Sequence, residues 1–225
     1  MRVEVRHPDS LGKNEVDELY ELFLTAFQAD RNGFEQDLAE KHRVLIVRDD
    51  KRLQAFTSLR VFRPQAGVRV FFSGDTFAGP EARVGHRLPS VWARYVFTEL
   101  GSETSEDYWL LFCSGFRTYR ILPTFFRSFC PSSEGHPGLQ ELRDKWASEI
   151  FGARFSEGVV KPRWATPLLH PEPPQRLLSD TNVRLFIDRN PGYREGDELV
   201  CLAPLAESNL TPAGLRLARR GVAVS

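Results

Sequence analysis

The sequence has little of what a disulfide-rich, metal-binding or membrane-spanning protein needs. Its three cysteines, Cys113, Cys130 and Cys201, are widely spaced and form no CxxC pair, which excludes an evident disulfide framework. Its five histidines form no HxxxH pair, so we expect no metal. No apolar run approaches the roughly 18 residues that span a bilayer, and the charged start of the chain does not fit a signal peptide. These absences predict a cytoplasmic protein that does not bind a membrane.

An excess of one charge is also missing. Lys plus Arg and Asp plus Glu each number 30, so no overall field favours nucleic acid, and we expect no nucleic-acid partner. The 225 residues are 41% hydrophobic and include 17 Phe, which predicts an aromatic-rich core or pocket. We expect a single domain over residues 1–225, as a monomer or a homodimer.

The spacing of apolar residues predicts a mixed α/β order. The expected elements are a strand over 2–7, helices beginning near Asn14 and Asn32, strands over 44–47, 53–62 and 68–77, a helix over 88–100, a strand over 108–113, helical structure over 116–129 and 138–151, strands over 183–188 and 198–204, and a short helix near Thr211. Short connections between the three middle strands favour an antiparallel meander. The crossover helix predicts that strands 68–77 and 108–113 are parallel. Residues 130–182 are less regular and are expected to hold a helix and a proline-rich connection, and residues 183–225 a C-terminal hairpin and helix.

One loop combines basic side chains and a glycine with the start of a helix. The stretch from Glu81 to Arg87 leads into the helix that begins at Leu88-Pro89. The N–H groups of a first helical turn have no partner within the helix, so an anion such as a phosphate suits this place. Gly85 permits close approach or a positive φ. An ordinary surface loop is the alternative.

The element order and this loop together resemble the GNAT N-acetyltransferase superfamily. Its members carry Arg/Gln-x-x-Gly-x-Gly/Ala between the fourth strand and the third helix, where the loop holds the acyl-CoA pyrophosphate. The stretch from Pro80 to Leu88 resembles a worn version of it, because the glycine falls one position early and His86 and Arg87 stand where small residues are usual. The stretch 114–120 also resembles GNAT-like bacterial proteins without assigned substrates. Residues 130–182 are extra relative to a minimal member, so the resemblance implies a helical, proline-rich insertion there.

The resemblance implies a GNAT-like fold, a mixed and mostly antiparallel sheet with helices on both faces and a splayed parallel strand pair. It implies an N-acyltransferase that takes acetyl-CoA, another acyl-CoA or another pantetheine thioester as donor, without a metal, and a small-molecule amine as acceptor. The donor-binding residues implied are Phe77, Ala78, Arg83, Val84, Gly85, His86, Arg87 and Leu88. The phenylalanine-rich stretch 116–129 suits an acyl chain longer than acetyl. A non-catalytic GNAT-fold binding or partner module stays open as the alternative.

Direct acyl transfer needs a base for the amine and an acid for the leaving thiolate. The resemblance implies Tyr119 as the acid, with packing in an aromatic cluster as the alternative. Asp75 is a candidate base or acceptor-binding carboxylate, unless it caps a turn after Gly74. Arg117 and Arg120 share a helix face and could bind a substrate carboxylate or phosphate, or simply face solvent.

Two further interpretations concern the strands. Cys113 could be a nucleophile, although a cysteine that ends a buried strand is more often a small core residue. Arg184 and Asp188 lie in the predicted strand 183–188 and are expected at the acceptor cleft.

Overall fold

The computed structural model describes residues 2–50, 52–79, 88–99, 106–163 and 167–219, and strands and helices are interspersed along them. The strands are β1 (Arg2–Arg6), β2 (Arg43–Asp49), β3 (Arg52–Phe62), β4 (Val68–Ala78), β5 (Glu106–Cys113), β6 (Phe155–Ser156), β7 (Val159–Val160) and β8 (Glu198–Pro204). The helices are α1 (Lys13–Leu24), α2 (Arg31–Ala39), α3 (Leu88–Arg94), α4 (Phe116–Tyr119), α5 (Ile121–Phe125), α6 (Pro137–Phe151), α7 (Thr181–Arg189) and α8 (Pro212–Arg219). A π-helical turn, Tyr95–Glu99, continues α3.

The described strands form one sheet of eight, in the order β1-β2-β3-β4-β5-β8-β7-β6. Every neighbouring pair is antiparallel except β4 and β5, which are parallel. The antiparallel meander and the parallel pair are therefore confirmed. Strand β5 lies between β4 and β8 with apolar side chains on both faces, as its continuous apolar sequence predicts.

Strands β4 and β5 diverge part of the way along their length. Their last paired residues are Ser73 and Leu111. Beyond them β4 continues beside β3, and β5 continues beside β8. The register between β3 and β4 shifts where residues 74–77 of β4 lie opposite residues 56–58 of β3, so β4 carries one extra residue. Such a bulge bends a strand, and the splayed pair of a GNAT-like fold is confirmed.

Different helices cover the two faces of the sheet. One face, here called the closed face, carries α3, α4, α5, α7 and α8 over a core that includes Phe71, Trp109 and Phe186. The other, here called the open face, carries α1 and α2 over β2 and β3 and α6 over β5 and β8. The two helix groups of the open face leave a cleft between them.

The strand predicted over 183–188 is wrong, because these residues belong to α7. The Asp180 carboxylate caps that helix by accepting the N–H groups of Asn182 and Val183 at 2.9 and 3.1 Å. The short, mostly apolar stretch is compatible with a strand, whereas the N-cap and buried residues three apart favour a helix. Arg184 and Asp188 therefore lie exposed on α7 and not at the acceptor cleft.

Two other parts of the chain differ from the prediction. The predicted C-terminal hairpin is absent from the described residues, and β8 pairs instead with β5 and β7. The stretch 116–129 holds two short helices, α4 and α5, which meet at Arg120.

Within the described ranges, no helix is both long and apolar enough to cross a bilayer.

Candidate active site

A cleft of about 400 Å³ opens on the open face, where β4 and β5 separate. Phe72, Ser73, Leu111 and Phe112 form its floor. Helix α2 forms one wall, and the end of α6 with the segment after it forms the other. Ligand pockets commonly measure about 300–1,000 Å³, so the cleft has room for a small molecule.

Backbone hydrogen bonds join the two walls of the cleft. The N–H of Gln28 donates to the carbonyl of Pro167 at 3.0 Å, and the N–H of Leu169 donates to the carbonyl of Ala26 at 2.8 Å. The first segment connects α1 to α2, and the second belongs to the insertion 130–182. The insertion therefore supplies both a wall of the cleft and its link to the opposite wall.

An aromatic cluster lies along the insertion side of the cleft. The ring centroids of Phe72 and Phe112 are 4.4 Å apart, and those of Phe112 and Phe151 are 5.1 Å apart, in edge-to-face arrangements. Such geometry is favourable for aromatic pairs. The cluster gives the cleft an apolar, rigid side.

Glu198, the first residue of β8, lines the cleft and pairs with Val160 of β7. The Ser114 hydroxyl donates to its Oε1 at 2.7 Å. Burial raises the pKa of the Glu198 carboxyl, and the charge of Asp37 raises it further, against the hydrogen bond from Ser114 and the charges of Lys41 and Arg154. A carboxylate with a raised pKa in a cleft is suited to accept a proton from a bound amine.

The position of Glu198 in the cleft was not predicted from the sequence. Its only local signal is an acidic residue at the start of an apolar strand. Its partner Ser114 lies 84 residues away in the chain, so their meeting depends on the pairing of β5 with β8.

Tyr119 lies in the core of the closed face and does not line the cleft. Its side chain is 0% exposed, and its hydroxyl donates to the carbonyl of Pro131 at 2.8 Å. Its ring contacts Phe129 and Phe186, with centroids 6.4 and 6.2 Å away, and burial raises its pKa. The geometry is that of a packed core residue, and the acid role stays a prediction without a contact that supports it.

Asp75 and the implied donor-binding residues are only partly described. Asp75 falls at the bulge of β4, close to the divergence from β5, but its side chain lies outside what the structure describes. Phe77 contacts Phe27 and Phe56 edge-on, at centroid distances of 6.3 and 6.4 Å. Ala78 ends β4, and Leu88 begins α3 with 3% exposure. Arg83, Val84, Gly85, His86 and Arg87 lie outside the described residues.

The structure does not bring Arg117 and Arg120 to the cleft. Both are exposed. The Arg117 guanidinium lies over the ring of Phe116, 5.4 Å from its centroid, and Arg120 lies 3.6 Å from the carboxylate of Asp180. Their surroundings are those of a solvent-facing helix surface with weak ion pairing.

The three cysteines are free and buried. The sulfur atoms of Cys113 and Cys201 are 3.8 Å apart, and burial raises the pKa of Cys113 and raises that of Cys130 to about 12. A protonated, buried thiol is a poor nucleophile, which favours the core interpretation of Cys113. Among the described residues, no group of three or more His, Cys, Asp or Glu side chains could hold a metal ion.

A second cavity, of about 40 Å³, lies on the closed face. Side chains of α3, α5 and α8 enclose it, and its lining is almost wholly apolar. Leu111 and Thr118 line both this cavity and the cleft. The gap between the splayed strands therefore adjoins both faces of the sheet.

By its sheet order, its parallel pair and its splay, the chain has a GNAT-like fold. No family model matches the chain, and no curated protein matches it significantly. A similar solved structure is a conserved protein of unknown function from Enterococcus faecalis, described as a probable N-acyltransferase, at 19% identity and TM-score 0.40. That match covers 57% of this chain and 33% of the other, so the chain spans about a third of that protein's length.

Two further structures are similar to the chain. An acyl-CoA N-acyltransferase from Pseudomonas aeruginosa shares 19% identity at TM-score 0.34, over 49% of this chain and 77% of that one. An aminoglycoside 6'-N-acetyltransferase complexed with coenzyme A shares 10% identity at TM-score 0.39, over 90% of this chain and 97% of that one. At such identities the likeness concerns the course of the chain and not its chemistry.

Proposed function

We propose that this protein is a cytoplasmic N-acyltransferase that moves an acyl group from an acyl-CoA, or another pantetheine thioester, directly to a small-molecule amine. The observation that carries the proposal is the cleft at the divergence of β4 and β5, which has the Glu198 carboxylate facing into it. A gap between strands can admit a thin donor arm from one side while the cleft holds the acceptor on the other.

In the proposed transfer, the Glu198 carboxylate takes a proton from the acceptor's ammonium group and leaves a neutral amine. The amine nitrogen then attacks the thioester carbonyl carbon, a C–N bond forms, and the C–S bond breaks. The second proton of the nitrogen passes to solvent as the amide forms. The edge of β4 beyond Ser73, which no longer pairs with β5, supplies N–H groups for the carbonyl oxygen as negative charge develops there.

The leaving thiolate does not require a buried acid. A thiol with an ordinary pKa near 8.5 leaves as a moderately stable anion and can take its proton from solvent. Tyr119 is therefore dispensable to the proposed reaction. Asp75, at the bulge of β4, remains a candidate for binding the acceptor.

The donor phosphates are assigned to the loop before α3. Arg83, His86 and Arg87 supply side-chain donors there, while Val84, Gly85 and the start of α3 at Leu88 supply backbone N–H groups. Phe77 and Ala78 lie at the end of β4, where the pantetheine arm would pass. This assignment rests on the resemblance and on the chemistry of the loop.

Binding of acetyl-CoA and longer acyl-CoA thioesters tests the proposal. Saturable binding should raise the melting temperature with ligand concentration. The double variant Arg83→Ala/His86→Ala should bind at least tenfold more weakly, since each charged hydrogen bond contributes about 1.5–3 kcal/mol. The pair Arg117→Ala/Arg120→Ala, whose exposed side chains do not line the cleft, is the matched control. A protein that no pantetheine thioester stabilises would contradict the proposal.

One observation favours the alternative of a non-catalytic module. The cavity between α3, α5 and α8 measures only about 40 Å³, whereas a single water molecule already needs about 10–15 Å³. The cavity is therefore too small for a donor arm as it stands. A donor arm that enters from this face must displace side chains or α8. Tight binding of acyl-CoA without transfer to any amine of a broad library would select the alternative.

A further inference from the structure

The cleft contains equal numbers of acidic and basic side chains, and most of them neutralise one another. Its described lining includes four carboxylates and four cations: Asp30, Asp37, Glu40, Glu198, Lys41, Arg60, Arg154 and Arg163. A ligand can use only the charges that the protein itself leaves available. The partners of each side chain therefore indicate which charges face a ligand.

Three of the carboxylates are already engaged. Asp30 caps α2 by accepting the N–H of Gly33 at 2.8 Å. Asp37 pairs at 2.8 Å with Lys41, whose side chain is 4% exposed. Glu40 lies 3.4 Å from Arg60 and 3.6 Å from Arg163.

Glu198 and Arg154 differ from the five side chains that pair with an opposite charge and from Asp30, whose carboxylate is engaged as the cap of α2. Among the described residues, neither Glu198 nor Arg154 has an opposite charge within 4.0 Å. In the same part of the chain, the hydrogen bond that Glu198 accepts comes from the neutral hydroxyl of Ser114. Arg154 lies over the ring of Phe151, 5.2 Å from its centroid, and donates one long hydrogen bond, at 3.5 Å, to the carbonyl of Lys161.

These two residues line the same cleft. Glu198 begins β8, while Arg154 follows α6 in the insertion. The charge of Arg154 is felt at the Glu198 carboxyl, so the two are within electrostatic reach without being paired. The ring of Phe151, under the Arg154 guanidinium, belongs to the aromatic cluster with Phe72 and Phe112.

We propose that the acceptor is an amino acid with an apolar side chain, whose ammonium group docks at Glu198, whose carboxylate docks at Arg154, and whose side chain lies on the Phe72–Phe112–Phe151 cluster. A zwitterion satisfies both available charges at once, whereas a simple amine leaves the arginine without an anion. Guanidinium and carboxylate groups pair in a two-pronged geometry that also orients the ligand. The inference rests on the proposed function, since it names the acceptor class of the same site.

Binding of three related compounds tests the inference without any donor. Calorimetry with L-phenylalanine, L-phenylalaninamide and 2-phenylethylamine varies the carboxylate while keeping the ring and the amine. We expect L-phenylalanine to bind at least tenfold more tightly than the other two, as for loss of one charged hydrogen bond or more. Arg154→Gln should remove this preference, and Arg154→Lys should restore part of it.

Arg184→Gln, an exposed change on the closed face, is the control and should retain the preference. Melting temperatures of all variants exclude unfolding as the cause of lost binding. Equal binding of the three compounds, no binding of any, or an unchanged preference in Arg154→Gln would overturn the inference.

Acyl transfer then separates the two proposals. Transfer to 2-phenylethylamine as readily as to L-phenylalanine would leave the acyltransferase proposal standing and refute the acceptor class. If the protein binds L-phenylalanine through its carboxylate but binds no acyl-CoA, the acceptor class stands and the acyltransferase proposal is refuted.

Discussion

The two faces of the sheet are built from the same strands and differ in what fills them. On the closed face, helices pack directly over Phe71, Trp109 and Cys201 and leave a cavity of about 40 Å³. On the open face, two groups of helices stand apart and leave about 400 Å³ lined by charges and aromatic rings. Packing on the first face stabilises the fold, and the gap on the second provides room for chemistry.

A short stretch of chain shows how sharply the two faces divide. Ser114 follows β5 and donates to Glu198 in the cleft. Tyr119, five residues later at the end of α4, has its hydroxyl bonded to Pro131 in the closed core. Proximity in sequence to the end of β5 therefore does not place a residue at the site. We expect changes in the cleft to alter activity and changes in the packed core of the closed face to alter stability.

The largest expected effect is on the open face. Glu198→Gln keeps the size of the side chain and an oxygen for the Ser114 hydroxyl but cannot accept a proton. Turnover should fall on the order of 10²-fold, within the range for general-base catalysis. Steady-state kinetics with any accepted amine measures it, and the exposed change Glu207→Gln, after β8, is the control.

The pH dependence adds a second signature of Glu198. Because burial raises its pKa above the ordinary 4.5, the base loses its proton only at a higher pH, and activity should fall as pH falls through that raised value. This acidic limb should be missing from the pH–activity profile of Glu198→Gln.

The folded state also holds this proton more tightly than the unfolded chain, so the contribution of Glu198 to stability declines as pH rises above about 4.5. Glu198→Gln should weaken that decline in stability. Full activity of this variant would contradict the role of Glu198 as the base.

The next largest effect is expected on the closed face. A Cβ added at Gly214 of α8 would clash with the carbonyl oxygen of Phe125, a backbone atom that cannot move freely. Gly214→Ala should therefore destabilise the protein by about 1–3 kcal/mol, as for other overpacked sites. Chemical denaturation measures it. Gly138→Ala in α6, where an added Cβ meets nothing within 4 Å, is the matched control and should be neutral or slightly stabilising.

The strand meander and the parallel pair could be predicted from the sequence because their signals are local. Polar turns separate apolar runs along β2, β3 and β4, and the run of β5 carries its own signature of double burial. Helix α7 was missed because residues 183–188 are a short, mostly apolar stretch that a strand and a helix can share, although Asp180 is a good N-cap. The packing of Val183 and Phe186 against the closed core decides between the two.

The residues of the candidate site were harder to predict, since their roles depend on distant partners. Glu198 meets Ser114 across 84 residues of chain. Arg154 lies at the cleft because the insertion, to which it belongs, forms one of the cleft's walls. Neither residue belongs to a motif. The residues that did suggest chemistry, Arg117, Tyr119 and Arg120, follow β5 closely, but α4 turns the two arginines toward solvent and Tyr119 into the closed core.

The smallest effect is expected at Tyr119, and it tests the division between the faces most directly. Tyr119→Phe keeps the ring in contact with Phe129 and Phe186 but leaves the carbonyl of Pro131 without its donor, 2.8 Å away. The loss should cost about 1 kcal/mol, which lowers the melting temperature by roughly 2–4 °C in a chain of this size. Turnover should stay at the wild-type level, and Tyr108→Phe, whose hydroxyl bond lies at the surface, should change neither quantity. A 10²-fold loss of turnover at an unchanged melting temperature would instead make Tyr119 the acid for the thiolate, and the closed face would then share in the chemistry.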